Sequence, residues 1–221
     1  MTRIAVAAAA ALAFVGAAIV TRRAADVQAQ DDGATALDYI NPLGAIERQV
    51  EQFQTEAAMH DNNTAAFLSM LRSAEGTDRR ADPYRVCYGY AHTIEDMSDH
   101  PAVTGEWRGA KLPDAICSGA GLGPGCVSTA AGAYQLIRPT WLECKRKLGL
   151  TDFSPASQDA AAVYLIRRRG ALEDVQAGRL SDAIAKVAKE WASLPGAGYG
   201  QPERRLAGLS DAFARAGGVM A

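Results

Sequence analysis

The chain has 221 residues, 48% hydrophobic and 22% charged, with a formal net charge of −2 at pH 7. That near-balance, without a block of like charge, leaves no electrostatic footing for a nucleic-acid partner. The length suits one domain of about 155 residues, enough to bury a core, with an N-terminal segment in front of it.

Arg3 precedes a 17-residue run, Ile4 to Val20, that lacks charged or strongly polar side chains, and Arg22 and Arg23 close it. Ten of the 17 are Ala or Gly, so the run is only weakly hydrophobic. It is at the short limit for a bilayer span and long for the core of a signal peptide. Val27-Gln28-Ala29 offers a cleavage site within residues 1–29. Three readings stand open: a cleaved secretory signal, a permanent anchor, or an anchor that leaves the bilayer when the membrane depolarises. Each of them exports the C-terminal domain. That domain is therefore expected in the periplasm or cell envelope, free or tethered to the inner membrane through residues 4–20.

Residues 30–63 read as a linker and a stalk. Gln30 to Thr35 is a polar joint, and Pro42 opens a helix of about 15 residues. Leu43, Ile46, Val50 and Phe53 lie on one side of it, with Glu47, Arg48, Glu51 and Gln52 opposite. The domain occupies residues 64–221. Phe67, Leu68, Leu71 and Ala74 form the apolar stripe of its first helix, which ends at Glu75-Gly76.

Tyr84, Val86, Tyr88 and Tyr90 alternate, which predicts a short strand pair up to Ile94. Residues Ala102 to Ser128 are rich in Gly and Pro and read as a loop. Ser154 can cap a helix with Pro155 at its first position, running past Ala160, Val163, Tyr164 and Ile166 to Gly170. Ser181 can cap another, with Ile184, Val187, Ala188 and Trp191 as its buried stripe. Leu206, Leu209 and Phe213 mark a last helix stopping at Gly217-Gly218. The class is α+β: a helix-rich lobe, a small β lobe and a cleft between them.

Four cysteines lie in this domain: Cys87, Cys117, Cys126 and Cys144. An exported chain with an even cysteine count points to two disulfides. Cys117 and Cys126 bracket a Gly-rich octapeptide and make a natural clip, which leaves Cys87 with Cys144. No His stands at ligand spacing from them, so no zinc site is expected. His92 and His100 read as surface or lobe-packing residues, and Trp141 and Trp191 as packing residues.

Glu75 is the residue with chemistry in it. A carboxylate on the last helical turn meets the negative end of the helix dipole, and burial adds to the same effect. Both keep it protonated toward neutral pH, as a general acid requires.

The sequence blocks around it carry a resemblance. Ser73-Ala74-Glu75-Gly76-Thr77-Asp78 is followed by Met97-Ser98-Asp99-His100-Pro101, then by Ala131-Gly132-Ala133-Tyr134-Gln135-Leu136 with Trp141. Leu148 to Pro155, Ser157 to Ala160 and Trp191 to Gln201 complete the series. In that order the blocks resemble the phage lambda endolysin family of lytic transglycosylases, over roughly Thr64 to Gly218. The resemblance implies a lysozyme-like fold and cleavage of peptidoglycan glycan strands by a monomer, without cofactor or metal. It implies that Glu75 acts alone, first as acid and then as base, while the C6 hydroxyl of N-acetylmuramic acid attacks to give a 1,6-anhydro product. It places Gly132, Tyr134, Gln135, Tyr199 and Gln201 along the sugar cleft. A hydrolytic lysozyme would need a second carboxylate, for which Asp78, Asp96, Asp99 and Glu106 are available. A catalytically idle glycan-binding module would leave Glu75 expendable.

Overall fold

A computed structural model describes residues 42–119 and 121–221 of the chain. The apolar run 4–20, the Ala29 cleavage site and the joint at 30–35 lie outside the described residues. The chain divides into two compact units, Met1–Gln49 and Val50–Ala221. Of the first, only the opening turns of a helix are described.

That helix, α1, runs unbroken from Pro42 to Glu75. The expected stalk helix and the first helix of the domain are therefore one element. Asp61-Asn62-Asn63-Thr64 looks like a break because such residues compete with helical hydrogen bonding. Here the Asn63 side chain is engaged outside the helix, and Thr64 bonds back onto the preceding turn without breaking it. The Thr64 hydroxyl donates to the His60 carbonyl at 2.9 Å. Asn63, fully buried, donates to the carbonyls of Gln176 and Val219 and accepts from the Val219 amide at 2.8 Å.

The stripe read from the sequence faces the core: Phe67, Met70 and Leu71 are wholly buried. They pack in one cluster with Leu165 and Ile166 of α5 (Pro155–Arg168), Ile184 of α7 (Leu180–Val187) and Phe213 of α8 (Leu206–Arg215). Helix α4 (Arg138–Leu148) adds Trp141, whose ring meets Phe153 edge-on at 4.7 Å. His100 also packs edge-on against Phe153, at 5.1 Å, and is fully buried. Ser154 caps α5, its hydroxyl accepting from the Ser157 amide at 3.3 Å. Short α6 (Leu172–Gln176) comes next. Helix α7 begins at Leu180, one residue before the expected cap Ser181. It ends at Val187, so Trp191 sits in the turn beyond it, buried, with its indole donating to the Tyr134 carbonyl at 3.0 Å.

The β lobe differs most from expectation. Residues 84–94 form no strand pair. A single 3-10 turn at Pro83–Arg85 precedes an isolated bridge between Val86 and Thr93, and another at Tyr88–Tyr90 lies between the two bridged residues. Asp82 accepts from the Tyr84 amide with Pro83 between them, which sets the first turn. Gly89, at φ +65°, sets the second. The strands lie in the stretch expected to be a loop: β1 (Ala110–Lys111) pairs antiparallel with β2 (Val127–Ser128), Ala110 opposite Ser128. Two short helices, α2 (Pro101–Thr104) and α3 (Asp114–Gly119), complete it.

Only one of the two expected disulfides is present. Cys117 and Cys126 are bonded, whereas Cys87 and Cys144 are buried free thiols. Each has a packing site of its own: Cys87 forms a bridge with Ala131, and the Cys144 Sγ is turned to the Ala161 carbonyl on α5 at 4.0 Å. Burial pushes both thiols up to about 12, so neither supplies thiolate at neutral pH. Thiol titration should find no reactive group in the native protein and two after denaturation without reductant. Finding none in the denatured chain would restore the second disulfide.

Candidate active site

Glu75 is the last residue of α1, and Gly76 ends the helix in the left-handed region at φ +74°. The last carbonyls of a helix lack partners within it. Here tertiary contacts supply them. Tyr90 Oη donates to the Gly76 carbonyl at 2.8 Å and Arg204 Nε to the Ala74 carbonyl at 2.8 Å. Thr77 Oγ1 lies 3.3 Å from the Arg72 carbonyl and donates to the Ala133 carbonyl at 2.8 Å.

The Glu75 carboxyl, half-buried, faces a cavity of about 310 Å³. Tyr88, Tyr90, Gln135, Ser193 and Gln201 line it as well. Ser193 Oγ donates to Glu75 Oε1 at 2.6 Å, and the Ser193 carbonyl accepts from the Arg204 amide at 2.7 Å. Burial raises the Glu75 carboxyl from 4.5 to about 7; the Ser193 hydroxyl and the Arg204 charge pull the other way and only partly offset it. A carboxyl so placed holds or releases its proton near neutrality, which suits a group that must do both.

The expected cleft residues separate into two groups. Gln135 and Gln201 join Glu75 at the cavity. Gln135 takes φ +47°, with Nε2 donating to the carbonyls of Val86 at 3.1 Å and Gly132 at 3.0 Å. Gly132, Tyr134 and Tyr199 do not line it. Tyr134 is fully buried, accepting from Arg72 Nη1 at 2.8 Å and donating to Asp159 Oδ1 at 2.6 Å. Gly132 lies hard against Gln158: a Cβ there would stand 2.2 Å from Gln158 Oε1. Tyr199 Oη donates to the Lys189 carbonyl at 3.0 Å, bracing the loop that carries Gln201.

Another carboxylate borders the cavity, Glu203, but it is engaged. Its oxygens accept from the amides of Gly198 at 2.8 Å and Gly196 at 2.9 Å, bonds that hold it below the usual range. None of Asp78, Asp96, Asp99 and Glu106 lines the cavity. Asp99 is tied to Trp141 Nε1 at 2.7 Å and Lys145 Nζ at 2.6 Å. Burial pushes Glu106 up, but the Glu95 amide, the His92 ring and the Asp96 amide outweigh it and hold it low.

Sequence reasoning missed Ser193, Arg204, Tyr88 and Tyr90. Ser193 sits within the Trp191–Gln201 block, yet nothing in the spacing links it to a residue 118 positions earlier.

This architecture matches solved lysozymes. The structure of bacteriophage lambda lysozyme complexed with a chitohexasaccharide superposes with a TM-score of 0.61 at 40% identity, covering 72% of this chain and 97% of that one. Another structure, lysozyme from bacteriophage lambda, gives 0.60 at 39% identity with the same coverage. The fold is thus lysozyme-like, helix-rich with a small two-stranded sheet. The endolysin family model matches residues 65–220. The endolysin of Escherichia phage P2 is 42% identical over 167 residues, 72% of this chain and 95% of that protein. The endolysin of Escherichia phage lambda is 41% identical over 165 residues, 72% and 94% respectively. The chain belongs to the endolysin family.

Proposed function

We propose that this endolysin cleaves the β-1,4 bond between N-acetylmuramic acid and N-acetylglucosamine in peptidoglycan as a lytic transglycosylase, in phage-type cell lysis. The observation that carries the reading is Glu75, a carboxyl raised to about 7 in a cavity whose other carboxylate, Glu203, is committed to backbone amides. Protonated Glu75 gives its proton to the leaving O4 as the C1–O4 bond breaks. The C6 hydroxyl oxygen of the muramic acid then closes on C1 and returns a proton to Glu75. No water is consumed. The attack is intramolecular, so effective molarity does the work that a second carboxylate and a bound water do in hydrolysis.

A hydrolytic reading has one observation in its favour: Glu203 is a carboxylate at the same cavity. Mass spectrometry of muropeptides from digested peptidoglycan decides between them. Transglycosylation gives anhydro ends, lighter by about 18 Da (one water) than the reducing ends left by hydrolysis. Reducing ends alone would exclude the transglycosylase.

The same reading puts the enzyme as a monomer in the periplasm or cell envelope, exported by residues 1–29. We favour a releasable anchor, because a run so rich in Ala and Gly gains little from insertion.

A further inference from the structure

The proton transfers leave two tyrosines at the cavity without a role. We propose that Tyr90, with Tyr88 beside it, is a stacking platform for an N-acetylhexosamine ring of the glycan, an inference that rests on the glycan cleavage proposed above. Tyr90 is 45% exposed, although its side chain is held from several sides. Its hydroxyl donates to the Gly76 carbonyl at 2.8 Å and its amide to the Cys87 carbonyl at 3.0 Å. The Arg80 guanidinium lies over the ring at 4.2 Å from its centroid. Tyr88 is fixed by its amide to the Ala130 carbonyl at 2.9 Å.

Tyr90 also adopts φ +58°, a conformation in which a bulky residue is an outlier and glycine is at ease. A residue kept only for packing would be buried, and one kept only for the turn would be glycine. An aromatic ring that is strained, tethered and still exposed is explained by something that lands on it. The hydroxyl tether sets the ring one hydrogen bond from the residue after Glu75, so a sugar seated there lies beside the acid. The apolar C–H face of an N-acetylhexosamine suits the negative face of the ring, which is how a flat aromatic recognises a sugar without reading its hydroxyls.

The backbone conformation supplies the test, because the ring can be removed while strain is relieved. Tyr90→Gly and Tyr90→Asn both tolerate the left-handed region, and Tyr90→Phe keeps the ring. Affinity for chitohexaose is measured by calorimetry on the full chain, in the Glu75→Gln background, alongside KM and kcat on peptidoglycan with Glu75 present. Tyr90→Gly and Tyr90→Asn should keep their melting temperature, bind roughly fivefold to tenfold more weakly and raise KM with little change in kcat. Tyr90→Phe should stay within about twofold of the parent. Unchanged affinity in a folded Tyr90→Gly or Tyr90→Asn protein overturns the platform, and so does a loss of affinity that merely tracks a loss of stability in both. An intact chain that binds chitohexaose through Tyr90 but leaves peptidoglycan uncut would sink the functional reading and leave the platform standing.

Discussion

Replacing Glu75 with glutamine will lower the rate of peptidoglycan cleavage by roughly a hundredfold to ten-thousandfold, the span that general acid–base catalysis contributes. Glutamine fills the same space and can still accept from Ser193, but it exchanges no proton at working pH. The same substitution will stabilise the fold in mildly alkaline solution. The folded-state carboxyl sits at about 7 against 4.5 for the free group. Between those values the folded chain holds a proton that the unfolded chain has released. The stability this gives is therefore present below 4.5 and lost as pH rises through about 7. At pH 8 the parent carries a desolvated carboxylate at a cost of about 3 kcal/mol that the variant avoids. Melting curves at pH 4 and pH 8 check this: the two proteins should coincide at the lower pH and separate at the higher, with the variant melting later. Activity of the parent should decline across the same upper range as the acid form disappears. A variant that clears peptidoglycan at more than about a hundredth of the parent rate would remove Glu75 from its role.

Gly132→Ala will strongly destabilise the domain. The alanine Cβ would lie 2.2 Å from Gln158 Oε1, 2.8 Å from its Cδ and 3.0 Å from the Phe153 ring, at φ +79°. Gln158 cannot step aside cheaply. It is fully buried, accepts from the Ala133 amide at 2.9 Å, and donates to the carbonyls of Phe153 at 2.7 Å and Tyr84 at 3.1 Å. Overpacking and left-handed strain together cost about 2–5 kcal/mol, which lowers the melting temperature by on the order of 10 °C. Loss of activity should accompany it, because the same turn carries Gln135 to the cavity. A melting temperature within a degree or two of the parent would show that the turn relaxes freely.

The features legible in the sequence were those that local chemistry decides. The end of α1 at Glu75, the Ser154 cap and the stop of α8 before Gly217 each depend on a few neighbouring residues. So did the elevated carboxyl, since both the helix end and the apolar stripe are visible in the sequence. Facing directions were another matter. Two tyrosines exchanged places relative to expectation: Tyr134, in the Gly-x-Tyr-Gln block, belongs to the Arg72–Asp159 network, while Tyr90, read as part of a strand, borders the cavity. Period-two alternation of aromatic residues fits a strand and a pair of tight turns equally well, and only Asp82-Pro83 and Gly89 tip the balance. Ser193 and Arg204 reach Glu75 through tertiary packing, for which spacing along the chain holds no signal.

The thiols set an order of events during maturation. The single disulfide joins cysteines nine positions apart, and the two sulfurs outside it are fully buried. Cys117 is as fully buried as those two, and Cys126 alone of the four is not, so a chain that packs before meeting oxidant is oxidised at Cys126 and closes the bond to Cys117. A chain oxidised while still open can also trap Cys87 or Cys144 with the wrong partner, although short loops close at lower entropic cost. Burial thus acts as a proofreader of cross-linking. Cys87→Ala with Cys144→Ala should raise the yield of correctly oxidised protein most under conditions where oxidation outruns folding.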